Sequence, residues 1–246
     1  MVLARKPESG LAARVLPGPL YIALRHVFSK GASRCVLVGG TALSGYYAGH
    51  RRSDDLDLFT DDALSQRSTV LAVSSLGGIG TAFTDQRSSA NFYHASCHLN
   101  GHDFTVQVVL DPRLFEVGSG VEADDGVTVA SLPTILKMKA ATLVSRAAEK
   151  DLYDLTWLLE QDPGLDVPVL IALGSEIDGG MNAEAVLISL VGTELRESAC
   201  DFSLSEAPGD VFTRVVRLRN ALVQGLEAFL RGQPAPAIAA LVRKLQ

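Results

Sequence analysis

Two strand-like segments joined by an Asn-Gly pair are the sequence feature that most limits the fold of this chain. Residues 91–99 and 103–110 are both strand-like, with Phe104, Val106, Val108 and Leu110 on one face of the second, and they are separated by a short turn at Asn100-Gly101. An Asn-Gly pair readily supplies the two positive φ angles of a type I′ turn. The pattern therefore predicts a tight β-hairpin, and with it an antiparallel strand pair within a larger sheet.

Short strands and helices alternate on the N-terminal side of this hairpin. Residues 35–38 form an apolar run that ends at Gly39-Gly40, and a helix is expected from about Thr41 to a stop at Gly49. Residues 54–59 are typical of a second strand. This alternation predicts an α/β arrangement for the first half of the chain.

The pattern becomes helical from Leu132 onward. Helical spacing recurs over residues 151–161, 183–197 and 211–231, with little strand signal between them. We therefore predict three parts, which are an N-terminal arm over residues 1–18, an α/β domain over residues 19–130 and a helical domain over residues 131–246.

Composition and charge exclude several classes of protein. The 246 residues include 22 basic and 28 acidic side chains, for a net charge of −6, and 47% are hydrophobic, which is ordinary globular composition. No apolar run reaches the roughly 20 residues of a membrane span, and the N-terminus lacks the apolar segment of a secretory signal. Three cysteines far apart form no disulfide framework. These features predict a cytoplasmic protein without a membrane partner, and the negative charge argues against a protein that coats nucleic acid.

The turn at Gly39-Gly40-Thr41 is the first candidate binding segment. Glycines at a strand-to-helix turn let the backbone approach a ligand closely, and the free N–H groups of the helix start favour an anion such as phosphate. The Thr41 hydroxyl could contact a phosphate or cap the helix. A tight turn with an N-cap is the alternative explanation of the same residues.

Asp55 and Asp57 are the second candidate segment. On a strand they project to the same face while Leu56 projects to the other, and about 7 Å of backbone separates the two carboxylates. Such a pair can share hard divalent cations such as Mg²⁺. Asp54 falls on the opposite face and is the weaker candidate. A solvated acidic turn is the alternative.

A charged helical segment further along the chain is the third candidate. Lys139 and Arg146 are seven residues apart, and Asp151 and Asp154 are three apart, so each pair shares a helix face. Basic side chains in a cleft would neutralise a triphosphate. A solvated helix with charge pairs explains the same residues without any ligand.

Two further groups of residues leave other sites open. His94, His98 and His102 bracket the hairpin, and a zinc site there would need another ligand nearby. Arg214, Arg217 and Arg219 on a C-terminal helix could contribute to an RNA-binding surface or simply to a solvated face.

The order of the three candidate segments resembles the minimal nucleotidyltransferases of the DNA polymerase β type. Within them the sequence is most similar to the AbiEii/AbiGii toxin family, the enzymatic half of bacterial toxin–antitoxin and phage-defence pairs. The resemblance extends over about residues 20–160. The segments that carry it are Gly39-Gly40-Thr41-Ala42-Leu43, Ser53-Asp54-Asp55-Leu56-Asp57-Leu58-Phe59 and Lys150-Asp151-Leu152-Tyr153-Asp154-Leu155.

The resemblance implies a fold and a reaction. The expected fold class is α/β (α+β): a nucleotidyltransferase domain with a mixed sheet, followed by a helical C-terminal domain. The implied reaction is Mg²⁺- or Mn²⁺-dependent transfer of a nucleoside monophosphate from an NTP to a tRNA or protein acceptor. The implied protein partner is a cognate antitoxin.

The family motifs also imply roles for individual residues. Gly39, Gly40 and Thr41 would hold the nucleotide phosphates, and Asp55 and Asp57 would bind the metal and take part in catalysis. Lys139 would contact the triphosphate. Asp151 and Asp154 match the acidic pair of the last motif, in which Asp151 belongs to the nucleotide site and Asp154 helps catalysis or orients the lysine.

Gln107 is the one departure from the family pattern. The third carboxylate of these enzymes usually stands at this place on the next core strand, and a neutral amide cannot accept a proton. The substitution predicts weakened transfer, and it supports the alternative of a nucleotide-binding protein that acts through a protein partner. A phosphoacceptor module with Asp54 or Asp55 as acceptor is a third hypothesis.

Overall fold

The computed structural model describes residues 5–32 and 34–245. These residues divide into two compact units, an α/β unit over residues 5–134 and a helical unit from residue 135 onward. The predicted domain boundary near residue 130 lies close to this division.

A seven-stranded mixed sheet forms the centre of the α/β unit. Its strands lie in the order β3-β4-β5-β2-β1-β7-β6. Strand β2 runs parallel to β5 and β1 runs parallel to β7, while the other neighbours are antiparallel. The strands are β1 (Cys35–Val38), β2 (Asp55–Thr60), β3 (Ala82–Ser88), β4 (Phe92–Leu99), β5 (His102–Leu110), β6 (Gly120–Glu122) and β7 (Thr128–Ala130).

Helices flank the strands of this unit and make up the second unit. The α/β unit contains α1 (Ser9–Val15), α2 (Gly18–Ser29), α3 (Gly39–Leu43), α4 (Ala63–Ser74) and α5 (Pro112–Val117). A π-helical stretch, Ser44–Ala48, continues α3, and a 3₁₀ turn, Ser75–Ile79, follows α4. Then follow α6 (Leu132–Ser145), α7 (Glu149–Gln161), α8 (Val167–Ile177), α9 (Ala183–Gly192), α10 (Pro208–Leu230) and α11 (Ile238–Lys244).

One face of the sheet is apolar because the strands alternate. Leu56 and Leu58 of β2 are completely buried, as are Val106 and Val108 of β5. Asp55 and Asp57 of β2 and Gln107 of β5 alternate with these apolar residues and are at least partly exposed. Asp57 and Gln107 lie side by side in the register of the two strands. The apolar face therefore belongs to the core, and the polar face presents the candidate site residues together.

The predicted hairpin is confirmed. Asn100 and Gly101 have φ angles of 49° and 79°, as a type I′ turn requires. The strands it joins, β4 and β5, pair without interruption from Leu99↔His102 to Phe92↔Val109. The fold class predicted from the sequence, a mixed-sheet α/β domain followed by helices, is also confirmed.

Hydrogen bonds from two tyrosines connect helices to the turn between β6 and β7. The hydroxyls of Tyr21 on α2 and Tyr46 in the π-helical stretch both donate to Asp125 Oδ2, at 2.8 and 3.0 Å. Burial, together with this hydrogen bond to a carboxylate, raises the pKa of Tyr21 to about 12. Both phenols therefore stay protonated and keep donating at neutral pH.

The structure differs from the prediction of an N-terminal arm. Residues 1–4 lie outside the described residues, but the segment that follows contains α1, whose Ala12 is completely buried. The Glu8 N–H donates to the Tyr46 carbonyl at 2.8 Å, and the Leu16 side chain lies against Gly45. The scattered apolar residues of this segment cover the π-helical stretch, so this part of the segment belongs to the α/β unit.

Strands β3, β6 and β7 were not predicted. Strand β3 is almost entirely exposed and polar, and its pairing with β4 is interrupted between Thr84 and Arg87. An edge strand of this kind lacks the alternation by which a half-buried strand is recognised.

No helix among residues 5–32 and 34–245 is long and apolar enough to cross a membrane.

Asp62 provides a test of the helix start that follows β2. It is the N-cap of α4, and its carboxylate accepts the Ser65 N–H at 2.7 Å, which lowers the pKa of Asp62 from its usual 3.8. A lowered carboxyl pKa stabilises the fold above the unfolded pKa, and that stability is lost as the pH falls through the folded value. We expect Asp62→Ala to lower the urea midpoint at pH 7, and the deficit to shrink below about pH 3.9.

Asp62→Asn is the matched control, since an amide oxygen can still accept the hydrogen bond. Its deficit at pH 7 should be smaller than that of Asp62→Ala. A deficit for Asp62→Ala that stays the same from pH 7 to pH 3 would contradict a contribution from the ionised cap.

Candidate functional site

The turn between β1 and α3 lies directly against strand β2. Gly39 has a φ of 71°, and a Cβ at this position would collide with the Asp57 carboxylate. A Cβ on Gly40 would collide with the guanidinium of Arg51. Two glycines are therefore required here. Gly39 is needed for its positive φ, and both are needed because other side chains occupy the positions that their Cβ atoms would take.

Thr41 fixes this contact from the next position. Its side chain is fully buried, and its Oγ1 contacts the Ser53 hydroxyl at 2.9 Å and the Asp55 carbonyl at 2.5 Å. The hydroxyl thus holds α3 to the start of β2. The sequence-based expectation was a phosphate contact or an N-cap, whereas the structure shows a hydrogen bond across the turn.

Arg51 is a buried cation beside the same turn. It is 4% exposed, its Nη1 donates to the Arg52 carbonyl at 2.9 Å, and its own carbonyl accepts the Ser44 hydroxyl. The consecutive α-carbons of Gly39 and Gly40 are about 3.8 Å apart. The Asp57 carboxylate therefore lies against the first glycine of the turn and the Arg51 guanidinium against the second.

Asp55 and Asp57 occupy the polar face of β2, as their spacing predicts. Asp55 is exposed, and its Oδ1 accepts a hydrogen bond of 2.6 Å from the Thr105 hydroxyl on β5. Asp57 is half-buried beneath Gly39. The two carboxylates therefore differ, because one faces solvent and the other is enclosed by the glycine turn.

Gln107 lies next to the aspartate pair. In the parallel register of β2 and β5 it is the partner of Asp57, and in the antiparallel register of β5 and β4 it is the partner of His94. No group of three or more His, Cys, Asp or Glu side chains that could hold a metal ion is found among residues 5–32 and 34–245. The site thus has a carboxylate pair with an amide beside it.

A pocket of about 390 Å³ opens beside Asp55 on the hairpin strands. Polar side chains from three adjacent strands line it, including Thr105, Ser96 and Thr84. Asp55, Thr105, Ser96 and Thr84 are successive register partners across β2, β5, β4 and β3. This row of hydroxyls extends the polar face away from the glycine turn.

The three histidines of the hairpin have separate carboxylate neighbours. His98 Nδ1 lies 2.7 Å from Asp103, and His102 Nε2 lies 3.1 Å from Asp54. His94 Nε2 lies 4.0 Å from Asp85. Since they do not converge with a further ligand, the structure gives no support to a zinc site among them.

Lys139, Asp151 and Asp154 form a buried charge cluster in the helical unit. Lys139 Nζ on α6 lies 2.7 Å from Asp151 Oδ1 and 2.6 Å from Asp154 Oδ2, both on α7. The three side chains are at most 7% exposed. Arg146 Nε reaches the other oxygen of Asp151 at 3.1 Å. The predicted residues of the third segment are therefore assembled within this unit.

Other predicted cations of the helical unit have surface partners. Lys137 Nζ lies 2.6 Å from Glu176, so two lysines on one helix have different environments. Arg214 pairs with Glu160 at 2.6 Å and with Glu206 at 3.1 Å. These ion pairs favour a structural role for Arg214 over a free RNA-binding surface.

A known protein family matches the part of the chain that contains these site residues. The family described as "Nucleotidyl transferase AbiEii toxin, Type IV TA system" matches residues 22–173, which is more than half of the chain. This chain belongs to the AbiEii nucleotidyltransferase toxin family. The matched residues include the glycine turn, the aspartate pair and the lysine–aspartate cluster.

Two solved structures share the fold of this chain. MenT4, a nucleotidyltransferase toxin from Mycobacterium tuberculosis, superposes with a TM-score of 0.55 at 18% identity, covering 98% of this chain and 100% of the other. JHP933 from Helicobacter pylori superposes with a TM-score of 0.50 at 14% identity, covering 88% and 97%. No curated protein matches the sequence.

Sequence reasoning missed two residues beside the AbiEii aspartate pair. Arg51 precedes the motif and carries no signal in its own spacing, since only the folded turn brings it against Gly40. Thr105 lies on the polar side of its strand, yet its bond to Asp55 depends on a parallel register between distant segments. Strand parity was available from the sequence, but the register was not.

The glycine turn can be tested by adding one methyl group. We expect Gly39→Ala to displace the Asp57 carboxylate and to strain the backbone, because alanine disfavours positive φ by about 1–2 kcal/mol. The variant should lower the free energy of unfolding by at least that amount in urea titrations. It should also weaken Mn²⁺-dependent ATP or GTP binding in calorimetry.

Gly78→Ala is the control for this substitution. A Cβ on Gly78 meets no atom within 4 Å, so its effect on stability and binding should be small. Unchanged stability in Gly39→Ala would show that the turn does not need a glycine at this position.

Proposed function

We propose that this chain is a metal-dependent nucleotidyltransferase that transfers a nucleoside monophosphate from an NTP to an acceptor. The observation that carries the proposal is the packing of Gly39 on Asp57, which sets the glycine turn beside the aspartate pair. The backbone turn that we assign to the phosphates and the carboxylates that we assign to the metal are therefore neighbours. Membership of the AbiEii family supports the same reaction class.

The residues of β2 fit a divalent cation. Asp55 and Asp57 are hard oxygen donors on one strand face, about 7 Å apart along the backbone, and Asp55 is open to solvent. We infer that these two carboxylates hold Mg²⁺ or Mn²⁺. When bound, such a cation supplies charge stabilisation at the transferring phosphoryl group.

The other residues of the proposal bind and orient the nucleotide. Backbone N–H groups at Gly39 and Gly40 are assigned to the phosphates, and Thr41 keeps that turn against β2. Lys139 is assigned to the triphosphate, with Asp151 and Asp154 fixing the position of its ammonium group. A cation held in this way would stabilise the charge of the leaving pyrophosphate.

The proposed acceptor is a tRNA end or a protein hydroxyl, and the proposed regulator is a cognate antitoxin. The family description names a toxin of a toxin–antitoxin system, which supports a protein partner that controls the activity. The proposed location is the cytoplasm, where NTPs and tRNA are both present.

The decisive experiment is transfer from radiolabelled NTPs. The purified chain is incubated with each of the four α-³²P NTPs, Mg²⁺ or Mn²⁺, and either total tRNA or cell protein. Label that appears in one acceptor fraction supports the transferase and identifies the acceptor class. Absence of label from every fraction, in a chain that binds NTP, would contradict the transferase.

Gln107 favours a second candidate function. A nucleotide-binding protein without transferase activity would need the glycine turn and the aspartate pair but no third carboxylate. In that case the bound nucleotide would control association with a protein partner. Nucleotide binding without transfer in the same assay is the result that would favour this function.

The aspartate pair provides the first test of the proposal. We expect Asp55→Asn and Asp57→Asn each to reduce transfer by at least about 100-fold, because each removes one metal-ligand charge. Circular dichroism should remain unchanged. Asp54→Asn is the control, since Asp54 lies outside the pair and beside His102, and it should retain most of the activity. Wild-type transfer in both pair variants would contradict the metal site.

The lysine cluster provides the second test. We expect Lys139→Ala to raise the KM for NTP and to lower turnover, and also to lower the free energy of unfolding by about 3–5 kcal/mol, because two buried carboxylates lose their cation. Lys137→Ala removes a partly exposed pair with Glu176 and should change stability by less than about 1 kcal/mol. Equal kinetic effects of the two substitutions would contradict the assignment of Lys139.

A further inference from the structure

We propose that His94 is the general base of the transfer reaction, a role that the Gln107 amide beside it cannot fill. This inference rests on the proposed nucleotidyltransferase function. It concerns the residue that takes the proton from the acceptor hydroxyl.

The reaction needs a proton acceptor at this place. As the acceptor oxygen forms its bond to the α-phosphorus of the NTP, the bond from that phosphorus to the bridging oxygen breaks. Pyrophosphate leaves with the electron pair, and the hydroxyl proton must pass to a base. An amide such as that of Gln107 cannot take the proton. Asp55 and Asp57 are assigned to the cation.

The strand register places His94 next to Gln107. The two residues are direct partners in the antiparallel pair of β4 and β5, so their side chains lie on one face with Cβ atoms about 4.5–5.5 Å apart. Gln107 is in turn the partner of Asp57. Asp57, Gln107 and His94 therefore form a row across three strands, with the imidazole one strand beyond the Gln107 amide.

The neighbours of His94 suit an imidazole that gains a proton. Its side chain is 18% exposed, and Asp85 Oδ2 lies 4.0 Å from Nε2, where a carboxylate stabilises an imidazolium. Arg87 is the register partner of His94 on β3, but its guanidinium is bonded to Asp85 at 2.9 and 3.0 Å. On its own strand, the Phe92 ring stacks at a centroid distance of 6.4 Å and an angle of 6°.

The other histidines described near this face are engaged elsewhere. His98, four residues further along the same strand and on the same face, is bonded to Asp103 at 2.7 Å. His102 lies 3.1 Å from Asp54. Of the three histidines, His94 is the one that lies in the row with Gln107.

The test compares His94→Gln with His98→Gln in the labelled-NTP assay. We expect His94→Gln to lower kcat by about 10²–10⁴-fold, the usual contribution of a general base, with the Kd for NTP unchanged. The wild-type rate should rise with pH through the titration of an imidazole, and this rise should be absent in His94→Gln. His98→Gln should keep both the wild-type rate and the wild-type pH profile.

A rescue variant separates a chemical role from a structural one. Adding Gln107→Asp to His94→Gln supplies a carboxylate at the neighbouring position, and it should restore at least about 10-fold of the lost rate while moving the pH limb to the acid side. A mere packing defect at His94 would not be repaired by this change. Failure of the rescue, with His94→Gln as slow as expected, would overturn the assignment of His94 as the base.

Wild-type kcat and pH profile in His94→Gln would also overturn the inference, while leaving the transferase intact. Absence of transfer in the wild-type chain with every acceptor would overturn the proposed function and the role of His94 together. The two failures are therefore distinguishable in one set of assays.

Discussion

The close approach of the β1–α3 turn to strand β2 is the constraint on which the candidate site depends. Asp57 and Arg51 occupy the space where side chains at Gly39 and Gly40 would be, and Thr41 bonds to the start of the same strand. Strand β1, which leads into the turn, pairs with β2, and the buried apolar side chains of the two strands keep the turn close to β2. The glycines are therefore needed less for flexibility than for their lack of a side chain, which lets a carboxylate pack directly against the backbone turn.

Strand parity made part of this site predictable from the sequence. Asp55 and Asp57 were assigned to one strand face by two-residue alternation, and the Asn-Gly turn predicted the hairpin of β4 and β5. The pairing of Asp57 with Gln107 joins segments about fifty residues apart, and no local pattern sets such a register. Strand β3 escaped prediction because it is a polar edge strand, and Arg51 because only tertiary packing places it under Gly40.

The two charge clusters of the chain are stabilised differently. In the helical unit, Lys139 is enclosed with Asp151 and Asp154, so its ammonium group has lost water and depends on both carboxylates. In the α/β unit, Asp55 remains open to solvent, and its Oδ1 accepts a hydrogen bond from the Thr105 hydroxyl on β5. The first arrangement holds the Lys139 ammonium group in place before any ligand binds. The second leaves the Asp55 carboxylate oxygens accessible to a ligand.

An amide at position 107 changes the energetics of the polar face as well as its chemistry. Like charges directly opposite on neighbouring strands destabilise a sheet, and a carboxylate here would face Asp57 across β2 and β5. Gln107 avoids that repulsion, and no bound cation is needed to offset a third negative charge. Its amide cannot accept a proton, and its partner in the same row on the side away from Asp57 is the titratable side chain of His94.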